Sequence, residues 1–315
     1  MVYKGLVCKE ENTHDDEFDL REDGLYYKSN QSKEYIKISS WIQFITKIRN
    51  KDNTGWSRRV EIKRPDGTKT QLNLKYEDMY GKVDTIFAQL SSNGFEINPQ
   101  PKYKTLLLAY LVSQDCDNKF GLLVDKIGWL NDEVYVLPDE SFGNCTDEKI
   151  YFDETIENLF NQQGTLDEWR DNVAKLCIGN KILVLSLCYA FTGPLLRLCD
   201  VEGLGLHIYG CSSSGKSSSA IVAGSVCGGI RSRGFLRQWR STHNALEHTA
   251  TMHNDNLLIL DEISQATADT VNHVAYMLAN GQGRERLKAD TTKRKTKTWQ
   301  LSSTLARQIS SGENP

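Results

Sequence analysis

A loop rich in glycine and serine, closed by a lysine, holds the residues with the clearest chemical potential. The run from Gly210 to Ser217 reads Gly-Cys-Ser-Ser-Ser-Gly-Lys-Ser and fits the pattern GxxxxGK[ST] at every required position. Its glycines let the backbone curl until successive N–H groups face one anion, and the start of a helix adds partial positive charge. A loop of this kind, a P-loop, binds the phosphates of a nucleoside triphosphate.

The same loop provides groups for a metal ion and for catalysis. The Lys216 ammonium would contact the β and γ phosphates as a catalytic group, and the Ser217 hydroxyl would coordinate Mg²⁺. The residues predicted to bind ATP are Gly210, Ser212, Ser213, Ser214, Gly215, Lys216, Ser217 and Ser218. A serine-rich loop can match by chance, but residues 206–209 predict a strand before it and residues 218–223 a helix after it.

Two acidic residues end an apolar segment further along the chain. Residues 257–260 read Leu-Leu-Ile-Leu, which predicts a buried strand, and Asp261 and Glu262 follow it. In a site for magnesium and nucleotide, Asp261 would hold Mg²⁺ through water and Glu262 would orient the attacking water as a catalytic residue. Buried strands that end in two exposed acidic residues are common, so the pair alone does not indicate a magnesium site. The complete P-loop before it makes that interpretation the stronger one.

A basic segment runs from Arg284 to Lys297. It holds seven basic residues against two acidic ones, in a chain whose formal net charge is -3. A ribbon of this charge can follow phosphates without reading base sequence. We predict a hairpin that turns at residues 290–292 and contacts nucleic acid through Lys288, Lys293, Arg294, Lys295 and Lys297. The alternatives are a solvated surface hairpin and a patch that meets an acidic protein.

The composition is that of a globular protein with room for two domains. The 315 residues are 39% hydrophobic and 25% charged, which excludes an intrinsically disordered chain. The eight cysteines form no CxxC pair, and the first residues are acidic rather than typical of a secretion signal. We therefore expect reduced thiols and a cytoplasmic location. The uncharged stretch 182–196 is too short to span a membrane and predicts a buried core helix that bends or stops near Gly193-Pro194.

The order of the predicted elements divides the chain at about residue 155. Short strands at 25–27, 35–38, 59–62 and 70–74 and helices at 84–94 and 104–113 predict a smaller α+β domain over residues 1–155. Residues 156–315 alternate strands and helices, which predicts an α/β domain with a parallel sheet. Thr165 and Glu168 form a capping-box pattern that opens the first helix of this domain.

From Gly128 onward the residues resemble one family, the domain-of-unknown-function family 927 of phages, genomic islands and cassette chromosomes. The longest matching run is Val-Ala-Tyr-Met-Leu-Ala-Asn-Gly-Gln-Gly at 274–283. The other matching segments are 128–129, 164–169, 190–195, 239–242, 260–262 and the P-loop. This family is similar to the AAA+ ATPases of the minichromosome-maintenance and superfamily-three helicases, and relatives on staphylococcal cassettes act as self-loading replicative helicases.

The resemblance implies a P-loop AAA+ core that uses ATP and Mg²⁺. It implies a homo-oligomer in the form of a ring, hexameric in such helicases, with ATP between neighbours and single-stranded or forked DNA in the pore. It also gives the basic hairpin the role of gripping DNA. We expect no membrane partner.

The chain departs from the family pattern after the basic segment. The apolar strand expected there is missing or disrupted, so Ser303, Thr304 and the pair Ser310-Ser311 remain alternatives for the sensor group. Arg284 and Arg286 are candidates for an arginine finger by charge only. No helical lid follows before Pro315, so we expect a truncated core.

Together these patterns predict the ATPase module of a helicase-like DNA motor from a phage or mobile element. The alternative is a nucleotide-binding module that hydrolyses little ATP and serves interaction or regulation.

Overall fold

The computed structural model describes ten stretches of the chain, which form two compact units. These stretches are residues 18–28, 34–115, 120–144, 148–153, 158–211, 214–228, 235–238, 242–261, 268–284 and 296–308. The first unit takes in the described residues up to Leu123 and those from 148 to Tyr151, and the second takes in all the others. This division lies earlier than the predicted boundary at residue 155, because the chain leaves the first unit after Leu123 and returns to it for one strand.

The described elements are numbered in chain order. The strands are β1 (Phe18–Arg21), β2 (Gly24–Lys28), β3 (Tyr35–Ser39), β4 (Ile42–Arg49), β5 (Ser57–Lys63), β6 (Lys69–Lys75), β7 (Phe120–Val124), β8 (Gly128–Trp129), β9 (Val134–Val136), β10 (Ser141–Gly143), β11 (Lys149–Phe152), β12 (Leu204–Gly210), β13 (Leu236–Gln238), β14 (Asn256–Asp261) and β15 (Leu301–Gln308). The helices are α1 (Tyr76–Gly81), α2 (Val83–Ser92), α3 (Pro101–Ser113), α4 (Leu166–Trp169), α5 (Lys181–Ala190), α6 (Gly193–Leu198), α7 (Lys216–Ser225), α8 (His243–Met252) and α9 (Ala268–Asn280).

One hydrophobic core holds the first unit together. Its sheets are the antiparallel β1-β2-β3 and a mainly antiparallel sheet of order β11-β7-β4-β5-β6. Leu25 and Ile38 of the smaller sheet join Ile62 of β5, Leu90 of α2 and Leu107 of α3, all fully buried. This is the arrangement of an α+β unit, in which the strands pair locally and the helices cover the sheets.

A parallel sheet of order β12-β15-β14-β13 forms the centre of the second unit. Along β14, Leu258 and Leu260 pack with residues of α8 and α9, whereas Leu257 and Ile259 pack with residues of α5 and α7. Successive residues of a strand point to opposite faces, so helices cover this sheet on both sides. The structure thus confirms the predicted α/β class with a parallel sheet.

Strand β15 shows that one prediction was wrong. The sequence after the basic segment predicts a missing or disrupted strand, yet Leu301–Gln308 lies in the middle of the sheet between β12 and β14. Its hydroxyl groups are accommodated in the interior. Ser302 Oγ lies 2.6 Å from Thr192 Oγ1, and Ser303 Oγ donates to the Leu204 carbonyl oxygen at 3.3 Å. For Ser302 and Ser303, hydrogen-bond partners that are distant in the chain take the place of apolar contacts.

The uncharged stretch 182–196 corrects a second prediction. It forms α5, which stops before Gly193 as one of the two alternatives predicted, and then α6, but α5 is not a buried core helix. Only Ser186 and Ala190 of α5 are buried, while Ile182 and Leu185 stay 49% and 47% exposed. The reason is that α5 packs on α7 through small α7 residues, so only a narrow strip of α5 is covered. Within the described residues, no helix is long and apolar enough to cross a membrane.

The capping box predicted at Thr165 is present. Thr165 Oγ1 accepts a hydrogen bond from the Glu168 N–H at 3.2 Å, and the Thr165 N–H donates to Glu168 Oε2 at 2.8 Å. The helix that it opens, α4, is short and continues as a π turn and a 3-10 turn that ends at Cys177.

Candidate nucleotide site and hairpin base

The P-loop lies between the end of β12 and the start of α7. Gly215, directly before the helix, has a φ of +87°, in the left-handed region that favours glycine. At Gly210 an added Cβ atom would lie 3.0 Å from Ser214 Oγ, so the two ends of the loop approach closely. Glycine is therefore required at one position by backbone conformation and is favoured at the other by space.

Lys216 connects the two ends of this loop. Its Nζ donates to the carbonyl oxygens of Gly210 at 2.9 Å and Cys211 at 2.5 Å, and to Ser214 Oγ at 3.1 Å. These acceptors hold the ammonium at the first residue of α7, where the N–H groups of the first turn have no partner within the helix. A positive charge and free N–H donors thus lie side by side, as an anion requires.

The other loop residues predicted to bind ATP divide into two groups. Ser217 and Ser218 are exposed in the first turn of α7, so the Ser217 hydroxyl is accessible to an ion beside the loop. Ser212 and Ser213 lie outside the described residues.

Asp261 is the last residue of β14 and lies at the same sheet edge as the P-loop, the edge formed by the carboxyl ends of the parallel strands. All four strands run parallel, and Leu260 is level with Leu305 of the intervening β15. Because one strand separates β14 from β12, their ends are about 10 Å apart across the sheet. That spacing leaves room for phosphates and a hydrated Mg²⁺ between the loop and the carboxylate. Glu262, predicted to be catalytic, lies outside the described residues.

The sensor candidates Ser303 and Thr304 lie in the body of β15, away from this edge. Thr304 is level with Ile259, two residues before Asp261. Two residues correspond to about 7 Å along a strand. Both candidates are buried, so neither hydroxyl faces the region between the P-loop and Asp261. The pair 310–311 lies outside the described residues.

The basic segment begins and ends as two paired antiparallel arms. Gln282 and Thr298 form an antiparallel bridge, and the Gly283 N–H donates to the Lys297 carbonyl oxygen at 2.9 Å. This pairing is what a hairpin over 284–297 requires at its base. The remaining residues predicted to touch DNA and the turn lie outside the described residues: Lys288, Lys293, Arg294, Lys295 and residues 290–292.

Helices α8 and α9 hold this base. The Arg284 N–H donates to Glu247 Oε1 at 3.2 Å, and its guanidinium lies 2.9 Å from His273 Nε2. Lys297 Nζ lies 3.4 Å from His248 Nδ1, and burial and then this ammonium lower the pKa of His248. β15 begins soon after, so the base lies at the sheet edge opposite the P-loop. Arg284, a candidate arginine finger, is thus held by helices of its own subunit.

Comparisons with known proteins agree with this architecture. The sequence pattern of DUF927, a domain of unknown function, matches residues 18–298. The chain belongs to the DUF927 family. A solved structure described as "SCCmec type IV Cch - active helicase" is similar, with a TM-score of 0.71 and 20% sequence identity. The match covers 93% of this DUF927 chain and 54% of that chain, so this protein spans about half the length of that helicase. The curated proteins include no match.

The sequence reasoning missed a buried polar turn that precedes β14 in this DUF927 protein. Asp255 Oδ2 accepts from the Trp129 N–H at 2.8 Å, and the Asp255 carbonyl oxygen accepts from the Tyr135 hydroxyl at 3.0 Å. Asn254 Nδ2 donates to the Ile127 carbonyl oxygen at 2.9 Å. These bonds fix strands β8 and β9 to the start of β14, and burial raises the pKa of Asp255. The run His-Asn-Asp-Asn before an apolar strand predicts a turn. Its hydrogen-bond partners could not be predicted, because they lie far away in the sequence.

Proposed function

We propose that this chain is the ATP-binding AAA+ module of a helicase-like DNA motor. The observation that carries the proposal is the placement of Lys216 and Asp261 at one edge of a parallel sheet, with a single strand between them. Ligands of open α/β sheets bind at the carboxyl ends of the strands, where both residues lie. The shared fold with a protein described as an active helicase supports a motor rather than another P-loop enzyme.

The residues present fit a triphosphate with Mg²⁺. The loop N–H groups and Lys216 would hold the phosphates, and the Ser217 hydroxyl and Asp261 carboxylate would hold Mg²⁺, which neutralises phosphate charge when bound. Glu262, next in sequence, would orient the water that attacks the γ phosphate. Among the described residues, no group of three or more His, Cys, Asp or Glu side chains forms a metal site of its own.

The basic hairpin supplies the proposed contact with DNA. Its paired base lies on α8 and α9, and its sequence between the arms adds Lys288, Lys293, Arg294 and Lys295. We propose that the motor moves on or unwinds single-stranded or forked DNA as a homo-oligomeric, hexameric ring. Its origin in a phage or mobile element and its cytoplasmic location belong to the same proposal.

Steady-state ATP hydrolysis, with and without single-stranded DNA, tests this function. We expect DNA to stimulate turnover, and we expect Glu262→Gln to bind ATP normally but to lose most turnover, because the water is no longer polarised. Glu202→Gln, an exposed acid before β12, is the matched control and keeps parent activity. Parent-level turnover in Glu262→Gln would show that another residue positions the water.

The second candidate is a nucleotide-binding module with little hydrolysis. It is favoured by one observation: Ser303 and Thr304 are buried in β15 and provide no polar group at the nucleotide edge. ATP binding that drives assembly without turnover would support this interpretation over the motor.

A further inference from the structure

The strands of the sheet β1-β2-β3 in the first unit direct alternate side chains to its two faces. Leu25 and Ile38 lie in the core on the inner face, with Phe18, Leu20 and Tyr27 packed against it. The cross-strand register places a different set on the outer face. That set, called the platform below, consists of Arg21, Tyr26, Lys28, Tyr35 and Lys37, together with Asp19.

Aromatic rings and cations alternate across the platform. The Arg21 guanidinium lies 4.3 Å from the ring centroid of Tyr26 and 4.9 Å from that of Tyr35. Lys28 Nζ lies 5.7 Å from the Tyr35 centroid. Tyr35 is 38% exposed, and the side chains of Arg21 and Lys37 are 44% and 46% exposed. The Tyr35 ring and the Arg21 and Lys37 cations are therefore accessible from solvent on the same face of the sheet.

Two carboxylates balance part of this charge. Asp19 accepts from Arg21 Nε at 2.7 Å, and Asp23 accepts from Lys37 Nζ at 3.2 Å and from the Tyr26 hydroxyl at 2.7 Å. Ion pairs between exposed side chains are weak, so Arg21 and Lys37 can turn from these carboxylates to a phosphate at little cost. The three cations Arg21, Lys28 and Lys37 outnumber these two carboxylates by one.

We propose that the platform binds single-stranded DNA. Bases would stack on Tyr35 and Tyr26, and phosphates would meet Arg21, Lys28 and Lys37. Single-strand binders combine these two elements, an open sheet face with aromatic side chains and a positive track for the backbone. The platform is distinct from the basic hairpin, and it rests on the proposed function only in the choice of DNA as ligand.

Base stacking can be distinguished from simple charge attraction, because a DNA strand without bases keeps the phosphates but cannot stack. The full chain is titrated, without nucleotide, into a fluorescein-labelled 20-nucleotide thymidine strand and into an abasic strand of equal length, and anisotropy is measured. Tyr35→Ala should weaken binding of the thymidine strand about tenfold and leave binding of the abasic strand unchanged. Tyr35→Phe should bind both strands like the parent, because the ring remains. Tyr80→Ala, which removes a tyrosine that is 69% exposed on α1 of the same unit, is the control.

Each outcome bears on the platform alone. Equal loss of affinity with both strands, or no loss with either, would overturn the proposal. Displacement of the thymidine strand by a polyglutamate peptide at equal charge concentration would assign the platform to an acidic protein instead. The same titrations in a chain with Lys293, Arg294 and Lys295 changed to Glu separate the platform from the hairpin. Because no ATP is present, a failure of ATP hydrolysis does not affect the result.

Discussion

His253 is a fully buried histidine that its surroundings keep neutral. Its Nδ1 lies 2.7 Å from the Leu257 carbonyl oxygen, and its ring packs edge-on against Phe235 with 4.9 Å between centroids. Among the described residues none bonds its Nε2. Burial lowers the pKa of His253 to about 4. Protonation of His253 would place an unpaired positive charge in the interior, close to the start of β14.

This histidine makes stability depend on pH in a defined window. Unfolded histidine has a pKa of about 6.5, so between pH 6.5 and 4 the unfolded state binds a proton that the folded state does not. The free energy of unfolding therefore falls as pH falls, by roughly 3 kcal/mol at pH 4. Urea unfolding of His253→Gln, which keeps a donor for the Leu257 carbonyl, should show a shallower pH dependence than the parent.

Two comparisons make that measurement specific. Gln163→Asn, a change between two side chains that do not titrate at an exposed position, should keep the pH dependence of the parent. The raised pKa of Asp255 acts in the opposite direction, since the folded state holds its proton more tightly, and this effect is common to all three chains. Parallel curves for the parent and His253→Gln would show that His253 does not titrate as described.

At the scale of elements, β15 contains a hydroxyl group whose removal should stabilise the folded protein. Thr304 Oγ1 is buried with no hydrogen-bond partner among the described residues, whereas Ser303 Oγ bonds the Leu204 carbonyl oxygen. Thr304→Val keeps the side-chain shape and should raise the free energy of unfolding by about 1 kcal/mol. Ser303→Ala should lower it by about 1 kcal/mol. Urea unfolding measures both, and a destabilised Thr304→Val would mean that this hydroxyl has a partner.

The hairpin makes a second prediction at this scale. Changing Lys293, Arg294, Lys295 and Lys297 to Glu should weaken DNA binding and flatten its dependence on salt. The log–log slope should fall by about 0.9 for each phosphate that the variant hairpin no longer neutralises. Reversal of Lys102 and Lys104, exposed on α3, is the control with a smaller charge change. An unaltered slope in the hairpin variant would refute its interaction with phosphate.

These elements also show which structural features can be predicted from the sequence and which cannot. The P-loop, β14 and the Thr165 capping box were predicted because each depends on neighbours within a few residues. β15 was not, because Ser302 finds its partner Thr192 at a distance of 110 residues along the chain. The Asp255 turn was missed for the same reason, since Trp129 lies 126 residues before it. At the candidate site, local pattern placed Lys216 and Asp261, but only the strand order shows them at one edge.

At the scale of the whole molecule, the two units have separate cores and only one carries the P-loop. Calorimetry should therefore resolve two unfolding transitions. ATP with Mg²⁺ should shift only the transition of the second unit, by about 2.7 kcal/mol at a ligand concentration of 100 Kd. Lys216→Ala should abolish this shift, because the phosphates lose their cation. Equal shifts of both transitions would contradict the assignment of the nucleotide site to one unit.

The return of the chain to its first sheet has a consequence for synthesis. Strand β11 is neighbour to β7 in that sheet, yet residues 124–144 of the second unit are translated between them. Domains emerge from the ribosome in order, and each folds once its own strands are available. The first unit must therefore wait, with one side of β7 open, until Lys149–Phe152 have left the exit tunnel. A pause in translation after β7 has left the tunnel and before β11 has done so would leave this nascent sheet with an unpaired edge exposed to other chains.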